Sequence, residues 1–208
     1  MSKQGLFVVV DGGEGTGTST ITKWLASDRG FVSTREPGGS PFGEEIRDLA
    51  LHSKYAKDAD AETLFALMWA ARRDHMNHTV IPALERGMSV VSDRFDSSTW
   101  AYQIRGQQAW QMEHFFYVMR QYYLQREPNL YVILDASPEV GLARVAERKG
   151  KAVDHFDSRS ITFHNRVREG YLEFIKDKPH VVINATQPLS KVKAAVWQSI
   201  QDVKKSCD

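Results

Sequence analysis

The sequence predicts an α/β fold in which a parallel sheet is covered by helices on both faces. Short runs of apolar, often β-branched residues alternate along the chain with longer amphipathic segments, which is the pattern of successive βαβ units. The first run, residues 6–10, is continuously apolar and ends at Asp11-Gly12-Gly13, as expected of a strand buried on both faces. No linker or repeat interrupts the 208 residues, so we expect one domain, 1–208, with a mobile insertion near residues 148–158.

The other helices and strands are predicted in chain order. Residues 19–27 predict a helix, and residues 31–34 predict a second strand. Residues 42–52 and 62–86 also predict helices, the longer one because Leu64, Leu67, Met68 and Ala71 recur at helical spacing. The later strands and the last helix are predicted at residues 88–92, 130–134 and 181–184 and from Pro188 to the C-terminal lysines.

Charged residues occur where the predicted strands end. Asp11, Arg35, Asp93 and Asp135 each end or directly follow one of these strands. Right-handed crossovers bring the carboxyl ends of parallel strands to one edge of the sheet, where ligands bind in such folds. We therefore expect these four residues to lie along a single crevice.

The composition excludes several classes of protein. With 42% hydrophobic and 25% charged residues, the chain is not disordered, collagenous or a coiled coil. Its 27 Lys and Arg residues and 26 Asp and Glu residues leave a net charge of +1, which gives no electrostatic case for binding nucleic acid or an acidic membrane. A single cysteine, no apolar stretch of membrane-spanning length and an N-terminal apolar run too short for a signal peptide favour a cytoplasmic protein.

The segment after the first strand has the spacing of a phosphate-binding loop. It reads Gly12-Gly13-Glu14-Gly15-Thr16-Gly17-Thr18-Ser19-Thr20 and matches the pattern G-x-x-x-x-G-K-[ST], except that Thr18 occupies the lysine position. The glycines allow successive backbone N–H groups to point at phosphate oxygens, and the next helix adds its partial positive charge. A glycine-rich turn that binds nothing is the alternative, but four glycines in six residues are costly without a backbone reason.

The absent lysine has a quantifiable consequence. One charged hydrogen bond is worth about 1.5–3 kcal/mol, which corresponds to roughly one to two powers of ten in rate. The loss can be compensated if another cation reaches the γ-phosphate of a bound nucleotide. Ser19, at the next position, would supply a hydroxyl ligand to Mg²⁺.

Basic residues recur near the predicted crevice. Taken singly, an arginine on a helix is usually a solvated residue, and an aspartate after a strand such as Asp93 is often only a helix cap. Five arginines, however, lie on loops or helices that open toward the same crevice: Arg35, Arg47, Arg72, Arg94 and Arg144. Transfer of a phosphoryl group between two phosphorylated substrates requires such a concentration of positive charge.

The motifs taken together closely resemble the thymidylate kinase family, whose members are P-loop nucleoside monophosphate kinases that convert dTMP to dTDP with ATP and Mg²⁺. The resemblance extends over nearly the whole chain, from about residue 5 to about residue 200. It is carried by residues 11–20, 34–39 (Thr-Arg-Glu-Pro-Gly-Gly), 70–72 (Ala-Ala-Arg), Asp93-Arg94, Ser98, 101–103 (Ala-Tyr-Gln), 138–144 and 165–173. It implies a five-stranded parallel sheet flanked by helices, with a mobile lid at about residues 148–158.

The resemblance also implies roles for individual residues. The ATP phosphates would be bound by Gly12, Gly13, Gly15, Thr16, Gly17, Thr18, Ser19 and Thr20. The dTMP-binding residues would be Glu14 at the sugar 3′-hydroxyl, Arg47 and Arg94 at the phosphate, Arg72, Met68, Ser98 and Gln103 at the base, Tyr102 under the sugar, and Glu36. Mg²⁺ would be held by Ser19 and Asp93, and the catalytic residues would be Arg94, Arg148 and Asp93.

The sequence departs from the family pattern in the loop and the lid. Glycine follows Glu14, so the loop carries no arginine, and the family's other arrangement places this arginine in the lid. The resemblance therefore implies that Arg148, with Lys149 and Lys151, supplies the catalytic positive charge; a solvated cluster of charges is the alternative. His155, also in the lid, is expected to be exposed and without a role, although a protonated ring would be a second cation.

A further departure concerns the base pocket. Met68 stands one helical turn before Arg72, where the family usually stacks a phenylalanine on the base. Methionine has no flat face and adapts its shape, so dUMP or a 5-substituted dUMP is an alternative substrate. Because Thr18 replaces the lysine, a weakly active nucleotide-binding protein is a second alternative. Family members usually form homodimers, and residues 110–123 could supply the dimer face or equally form a core helix.

Overall fold

The computed structural model describes residues 5–147 and 155–207. Arg148, Lys149 and Lys151 of the predicted lid lie outside the described residues. Five strands form one sheet: β1 (Phe7–Gly12), β2 (Val32–Arg35), β3 (Val90–Asp93), β4 (Leu130–Asp135) and β5 (His180–Asn184). Their order is β2-β3-β1-β4-β5, and every neighbouring pair is parallel. The predicted five-stranded parallel sheet is confirmed.

Helices connect the strands on both faces of the sheet. The described α-helices are α1 (Thr18–Arg29), α2 (Pro41–Arg47), α3 (Ala61–His75), α4 (Ile81–Glu85), α5 (Asp96–Thr99), α6 (Glu113–Tyr123), α7 (Pro138–Ala146), α8 (Ile161–Phe174) and α9 (Leu189–Cys207). A π-helical turn at Met76–Val80 joins α3 to α4, so residues 62–86 follow one helical path as predicted. A longer π-helical segment, Trp100–Gly106, extends α5. The sequence analysis did not predict this segment, which carries Tyr102 and Gln103.

The sheet separates two hydrophobic cores, and β1 contributes to both. Phe7 and Val9 belong to one core, with residues from α3, α6 and α8. Val8 and Val10 belong to the other, with residues from α1 and α9. All four side chains are completely buried, which confirms that the first strand is buried on both faces. The loop after β1 therefore follows a strand that is buried on both faces.

The segment at residues 110–123 divides between core and surface. Phe116 on α6 is completely buried and packs edge-on against Trp69 and Trp100. Phe115 and Tyr122 on the same helix are 56% and 82% exposed. The helix thus anchors one side in the core and leaves an aromatic side uncovered. Over the described parts of the chain, no helix has both the length and the apolar character needed to cross a membrane.

Candidate active site

The carboxyl ends of β1, β2 and β3 open into one cavity of about 710 Å³. In the register of the sheet, Asp93 pairs with Arg35 on one side and with Val10 on the other. Of the four charged residues expected along the crevice, Arg35 and Asp93 line the cavity, whereas Asp11 is buried and Asp135 pairs with Arg168 at 2.7 Å instead. Nine residues predicted to bind dTMP all line the cavity: Glu14, Glu36, Arg47, Met68, Arg72, Arg94, Ser98, Tyr102 and Gln103. Most of the glycine-rich loop and Asp93 line it too. The structure therefore gathers the sequence-predicted residues around one space.

The glycine-rich loop joins β1 to α1 in the predicted strand–loop–helix order. Gly13, Gly15, Gly17, Thr18, Ser19 and Thr20 line the cavity. Gly12 and Thr16 are buried behind them instead, and the Thr16 hydroxyl donates to the carbonyl oxygen of Gly13 at 2.8 Å. These two residues support the loop backbone from the protein interior and do not line the cavity.

Gly15 explains why the loop needs glycine. Its φ of 70° lies in the left-handed region, and a Cβ there would lie 2.0 Å from the carbonyl oxygen of Gly141 on α7. Gly141 is constrained in return, because its own Cβ would lie 2.1 Å from the carbonyl oxygen of Glu14. The loop backbone and α7 therefore approach each other at a distance that no other residue type permits. Arg144 of α7 donates to the carbonyl oxygens of Ala185 at 3.0 Å and Gly15 at 3.5 Å.

Ser19 and Asp93 meet where the loop ends and α1 begins. The Ser19 hydroxyl donates to Oδ2 of Asp93 at 2.5 Å. The other carboxylate oxygen of Asp93, Oδ1, is buried and has no hydrogen-bond partner among the residues that the structure describes. An orphaned carboxylate oxygen beside a hydroxyl is a donor set that suits Mg²⁺, which prefers oxygen ligands.

The described residues do not by themselves form a complete metal-binding site. No group of three or more His, Cys, Asp or Glu residues able to hold one exists within residues 5–147 and 155–207. Mg²⁺ typically takes one or two protein oxygens and completes its shell with water and substrate phosphates. The pair of Ser19 and Asp93 fits that mode of binding.

Arg94, directly after β3, has its guanidinium group at the centre of the cavity wall. Nη2 donates to Oε1 of Glu14 at 2.7 Å, and Nη1 donates to the hydroxyl oxygen of Tyr171 at 2.9 Å. The Tyr102 hydroxyl donates to the same oxygen of Glu14 at 2.5 Å. Burial lowers the pKa of Arg94, but its electrostatic interactions with the surrounding groups, Tyr102 and Glu14 above all, outweigh it and raise that pKa well above its ordinary value. The guanidinium is therefore a fixed cation.

Asp11 supports Arg94 from the buried side of the site. Its side chain is completely buried and accepts hydrogen bonds from the Ser97 hydroxyl at 2.7 Å and the Ser98 hydroxyl at 2.9 Å. Its Oδ1 lies 3.7 Å from Nη1 of Arg94. Burial raises the pKa of Asp11, while Arg94 and the hydrogen bonds, including one from Tyr171, lower it in part. This network fixes the orientation of Arg94.

Arg72 is held by a buried chain of polar groups. Its Nε donates to Oε2 of Glu36 at 2.8 Å and its Nη2 to the hydroxyl oxygen of Thr99 at 3.0 Å. His75 lies 2.8 Å from the other oxygen of Glu36 and 2.7 Å from the Thr34 hydroxyl. Arg72 is 2% exposed, and its Nη1 has no partner among the described residues. This guanidinium, at the wall of the cavity, therefore has a donor that no described residue satisfies.

Glu36 was expected among the dTMP-binding residues. It lines the cavity, but both of its oxygens are engaged by Arg72 and His75. Its geometry is that of a support for Arg72, because one of its oxygens accepts from Arg72 and the other lies 2.8 Å from His75. The spacing of Glu36 in the sequence carried no sign of this pairing.

Arg47 and Met68 complete the predicted set. Arg47 donates from Nη1 to the carbonyl oxygen of Pro37 at 2.7 Å, and burial, followed by the charge of nearby Arg35, lowers its pKa. Arg35 itself is exposed and paired with Glu44 at 2.7 Å. Met68 is 7% exposed and belongs to the core on that side of the sheet, with one side toward the cavity.

The sequence analysis missed two aromatic residues of the site, Phe156 at the cavity and the buried Tyr171. Phe156 was given no role from the sequence, yet it is 5% exposed and lines the cavity. Its ring packs edge-on against Tyr102 at 5.2 Å and stacks on Phe163 at 6.1 Å. Tyr171, in a motif that carried the family resemblance, contacts Arg94. An aromatic residue in each motif was the available signal, but no role was assigned to either.

His155 was expected to be exposed, and that part of the expectation was wrong. Its side chain is half-buried, with Nε2 lying 3.2 Å from the carbonyl oxygen of Ala50. The ring packs against Phe156 with 4.1 Å between centroids. Packing against Phe156 shields the imidazole from solvent. The polar residues around His155 in the sequence did not indicate this burial.

The site and the fold together define a P-loop α/β protein with a phosphate-binding loop facing a cluster of arginines. A family model described as thymidylate kinase matches residues 10–196. The chain therefore belongs to the thymidylate kinase family.

Individual relatives agree with this assignment. The thymidylate kinases of Bacillus mycoides (strain KBAB4) and Bacillus cereus (strain ATCC 10987 / NRS 248) are each 39% identical to the chain over 208 residues, which is 96% of this chain and 98% of the relative. The crystal structure of thymidylate kinase from Ehrlichia chaffeensis has a TM-score of 0.75 at 23% identity and covers 95% of this chain and 99% of its own. At that identity the likeness shows the fold.

Proposed function

We propose that the protein is an ATP-dependent dTMP kinase that transfers the γ-phosphoryl group of ATP to the 5′-phosphate of dTMP, giving dTDP and ADP. The observation that carries the proposal is the convergence of a phosphate-binding loop and buried arginines on one cavity of about 710 Å³. Two phosphorylated substrates need such a pairing of backbone donors and fixed cations. The relatives named thymidylate kinase support the choice of dTMP as acceptor.

The reaction requires alignment and charge neutralisation by the protein. An oxygen of the dTMP phosphate attacks the γ-phosphorus, the bond to the β–γ bridging oxygen breaks, and ADP leaves with that electron pair. The acceptor phosphate is already a nucleophile, so no covalent enzyme intermediate is needed. Backbone N–H groups of the loop would bind the donor phosphates. Ser19 and Asp93 would hold Mg²⁺, which neutralises charge on the phosphates.

On the acceptor side of the cavity, where dTMP would bind, the fixed side chains have complementary roles. Arg47 and Arg94 would bind the 5′-phosphate, and Arg94 would also contact the group in transfer. The unpartnered Nη1 of Arg72 would donate to the base, held in place by Glu36. Other contacts to the nucleoside would come from Glu14, Met68, Ser98, Tyr102 and Gln103. Since Glu14 accepts from Arg94 and Tyr102, sugar and phosphate recognition would share one network.

Turnover of pyrimidine nucleotides tests this proposal. We expect purified protein with ATP and Mg²⁺ to release ADP on addition of dTMP, with a higher kcat/KM than for dUMP or dCMP, and to stop when EDTA removes the metal ion. Equal or better use of dUMP would contradict the assignment to dTMP. No turnover in the wild type together with restored turnover in Thr18→Lys would favour a binding protein instead.

The lid contribution is part of the same proposal. Arg148 lies outside the described residues, and its role rests on the family resemblance. If Arg148 stabilises the transferring group, Arg148→Ala should lower kcat far more than dTMP affinity. A change confined to affinity would contradict a catalytic role.

We also propose that the protein is a cytoplasmic homodimer. The support is the uncovered side of α6, where Phe115, Tyr117, Val118 and Tyr122 are 45–82% exposed. Exposed apolar patches of this kind often mark protein–protein contacts. Sedimentation of the wild type should give twice the mass of one chain, and Phe115→Glu should shift it to the monomer.

A further inference from the structure

The donor side of the cavity, where the glycine-rich loop and the start of α1 would bind ATP, lacks one cation that phosphate-binding loops normally contain. Thr18 occupies the lysine position of the loop pattern and is only 8% exposed. It provides a neutral hydroxyl where an ammonium group normally contacts the β- and γ-phosphates. If the protein transfers phosphoryl groups from ATP, a cation near the start of α1 would offset part of this deficit at the donor phosphates.

Lys23 on α1 lies on the face that meets this requirement. It is four residues after Ser19, so the two side chains lie on the same face of the helix. Side chains in α-helices lean toward the N-terminus and cover the preceding turn. Lysine has a flexible four-carbon stem, and one turn rises 5.4 Å. The stem of Lys23 is therefore directed along the helix toward Ser19 and the loop.

Lys23 is also accessible to a ligand in this cavity. Its side chain is exposed, and it lines the same cavity as Gly17, Ser19 and Asp93. No hydrogen bond or ion pair joins its ammonium group to another of the described residues. The ammonium group is thus free to pair with an anionic ligand in the cavity.

The arginines that line the cavity are differently placed. Arg35 is paired with Glu44, Arg72 with Glu36, and Arg94 with Glu14. Arg47 donates to a backbone carbonyl oxygen on the acceptor side. Within residues 5–147 and 155–207, Lys23 is therefore the cation of α1 that lines the cavity. Its ammonium group has no hydrogen-bond acceptor among these residues.

We propose that Lys23 supplies, from one turn inside α1, the ammonium contact to the donor phosphates that Thr18 does not provide. The inference rests on the proposed kinase function. It makes Lys23 a catalytic residue that binds the β- or γ-phosphate of ATP beside Ser19. The loop retains its backbone donors, and the charge reaches the phosphates from the helix instead of from the loop.

The test is a set of matched variants of the full chain, assayed for ADP release with dTMP. Lys23→Gln should lower kcat/KM for ATP by about 10- to 100-fold, the range of one charge-assisted hydrogen bond, and should leave KM for dTMP within about twofold. Lys23→Arg should retain most of the activity. Lys204→Gln, an exposed lysine on α9, is the control and should equal the wild type. Thr18→Lys added to Lys23→Gln should restore at least half of the lost activity.

A binding measurement separates this inference from the proposed function. Calorimetry with a non-hydrolysable ATP analogue and Mg²⁺ should show weaker binding to Lys23→Gln than to Lys204→Gln, and a smaller difference with AMP. Equal affinities for the analogue in the two variants would overturn the role of Lys23 even if the wild type is an active kinase. Absence of wild-type turnover would contradict the kinase proposal, while the analogue would still report whether Lys23 binds phosphate.

Discussion

The acceptor and donor sides of the cavity are built on different principles. On the acceptor side, Arg72 and Arg94 are fixed by ion pairs to Glu36 and Glu14 of 2.8 and 2.7 Å. On the donor side, the loop relies on backbone conformation, and the side chain of Ser19 is exposed. Side-chain networks preorganise one half of the site, and backbone geometry preorganises the other. A side-chain change such as Thr18 is therefore more tolerable on the donor side.

The largest effect is expected from a change within the acceptor network. Arg94→Lys keeps one charge. A single ammonium group, however, replaces the guanidinium group, which contacts Glu14 and Tyr171 at the same time. We expect kcat/KM to fall by about 10²–10³, the range seen when one preorganised donor is removed. The left-handed φ of 71° at this position strains either residue equally. Arg86→Lys, an exposed change outside the cavity, should have no effect.

A loss below tenfold for Arg94→Lys would contradict the view that this side depends on fixed guanidinium geometry. Urea unfolding of the same variant checks that the protein remains folded. The two measurements together distinguish loss of catalysis from loss of structure.

A smaller effect is expected from backbone strain on the donor side. Gly15→Ala places a Cβ 2.0 Å from the carbonyl oxygen of Gly141, so the loop must move. Left-handed strain alone costs about 1–3 kcal/mol, and we expect kcat/KM for ATP to fall about tenfold or more. Gly30→Ala is the matched control, because Gly30 has a φ of 72° with no atom within 4 Å of its Cβ. It should lower the free energy of unfolding and leave ATP kinetics unchanged, whereas equal kinetics for the two variants would argue against backbone control.

The smallest effect is expected from the hydroxyl that supports Arg94. Tyr171→Phe removes the acceptor 2.9 Å from Nη1 of Arg94, and one such bond is worth about 0.5–1.5 kcal/mol. We expect kcat to fall about two- to tenfold. Tyr131→Phe is the control, because its hydroxyl donates to Asp96 at 2.8 Å outside the cavity. Burial raises the pKa of both tyrosines well above the ordinary value, so both hydroxyls stay protonated in neutral buffer.

Unchanged kcat in Tyr171→Phe would limit the role of Tyr171 to packing. The control should lower the free energy of unfolding without changing kcat. If both variants lose activity in parallel, the effect follows from stability and not from the position of Arg94.

Much of the fold could be predicted because its signals are local. The five strands were placed within two residues of their observed bounds, since each is a short apolar run with polar ends. The glycine-rich loop was also correctly placed between β1 and α1. The π-helical segment Trp100–Gly106 was not predicted, because its shape depends on packing against α8 and leaves no distinct periodicity.

The site was only partly predictable for the same reason. The predicted residues that line the cavity came from motifs of a few residues each. The contact between Arg94 and Tyr171 joins positions 77 residues apart, and that between Glu36 and His75 joins positions 39 apart. Local sequence holds no information about such pairs. The burial of His155 was misjudged, and Phe156 was overlooked, because the segment was interpreted as a lid.

The sequence by itself determined the alternation of strands and helices, the phosphate-binding loop and its lack of a lysine, because each depends on residues adjacent in the chain. Only the tertiary structure decided that Glu36 supports Arg72 and that Asp11 and Tyr171 orient Arg94. It also decided that Lys23 lies along the same cavity as the loop. These decisions depend on which distant side chains become neighbours once the sheet has formed, and burial then leaves each charged group with the partners that remain within reach.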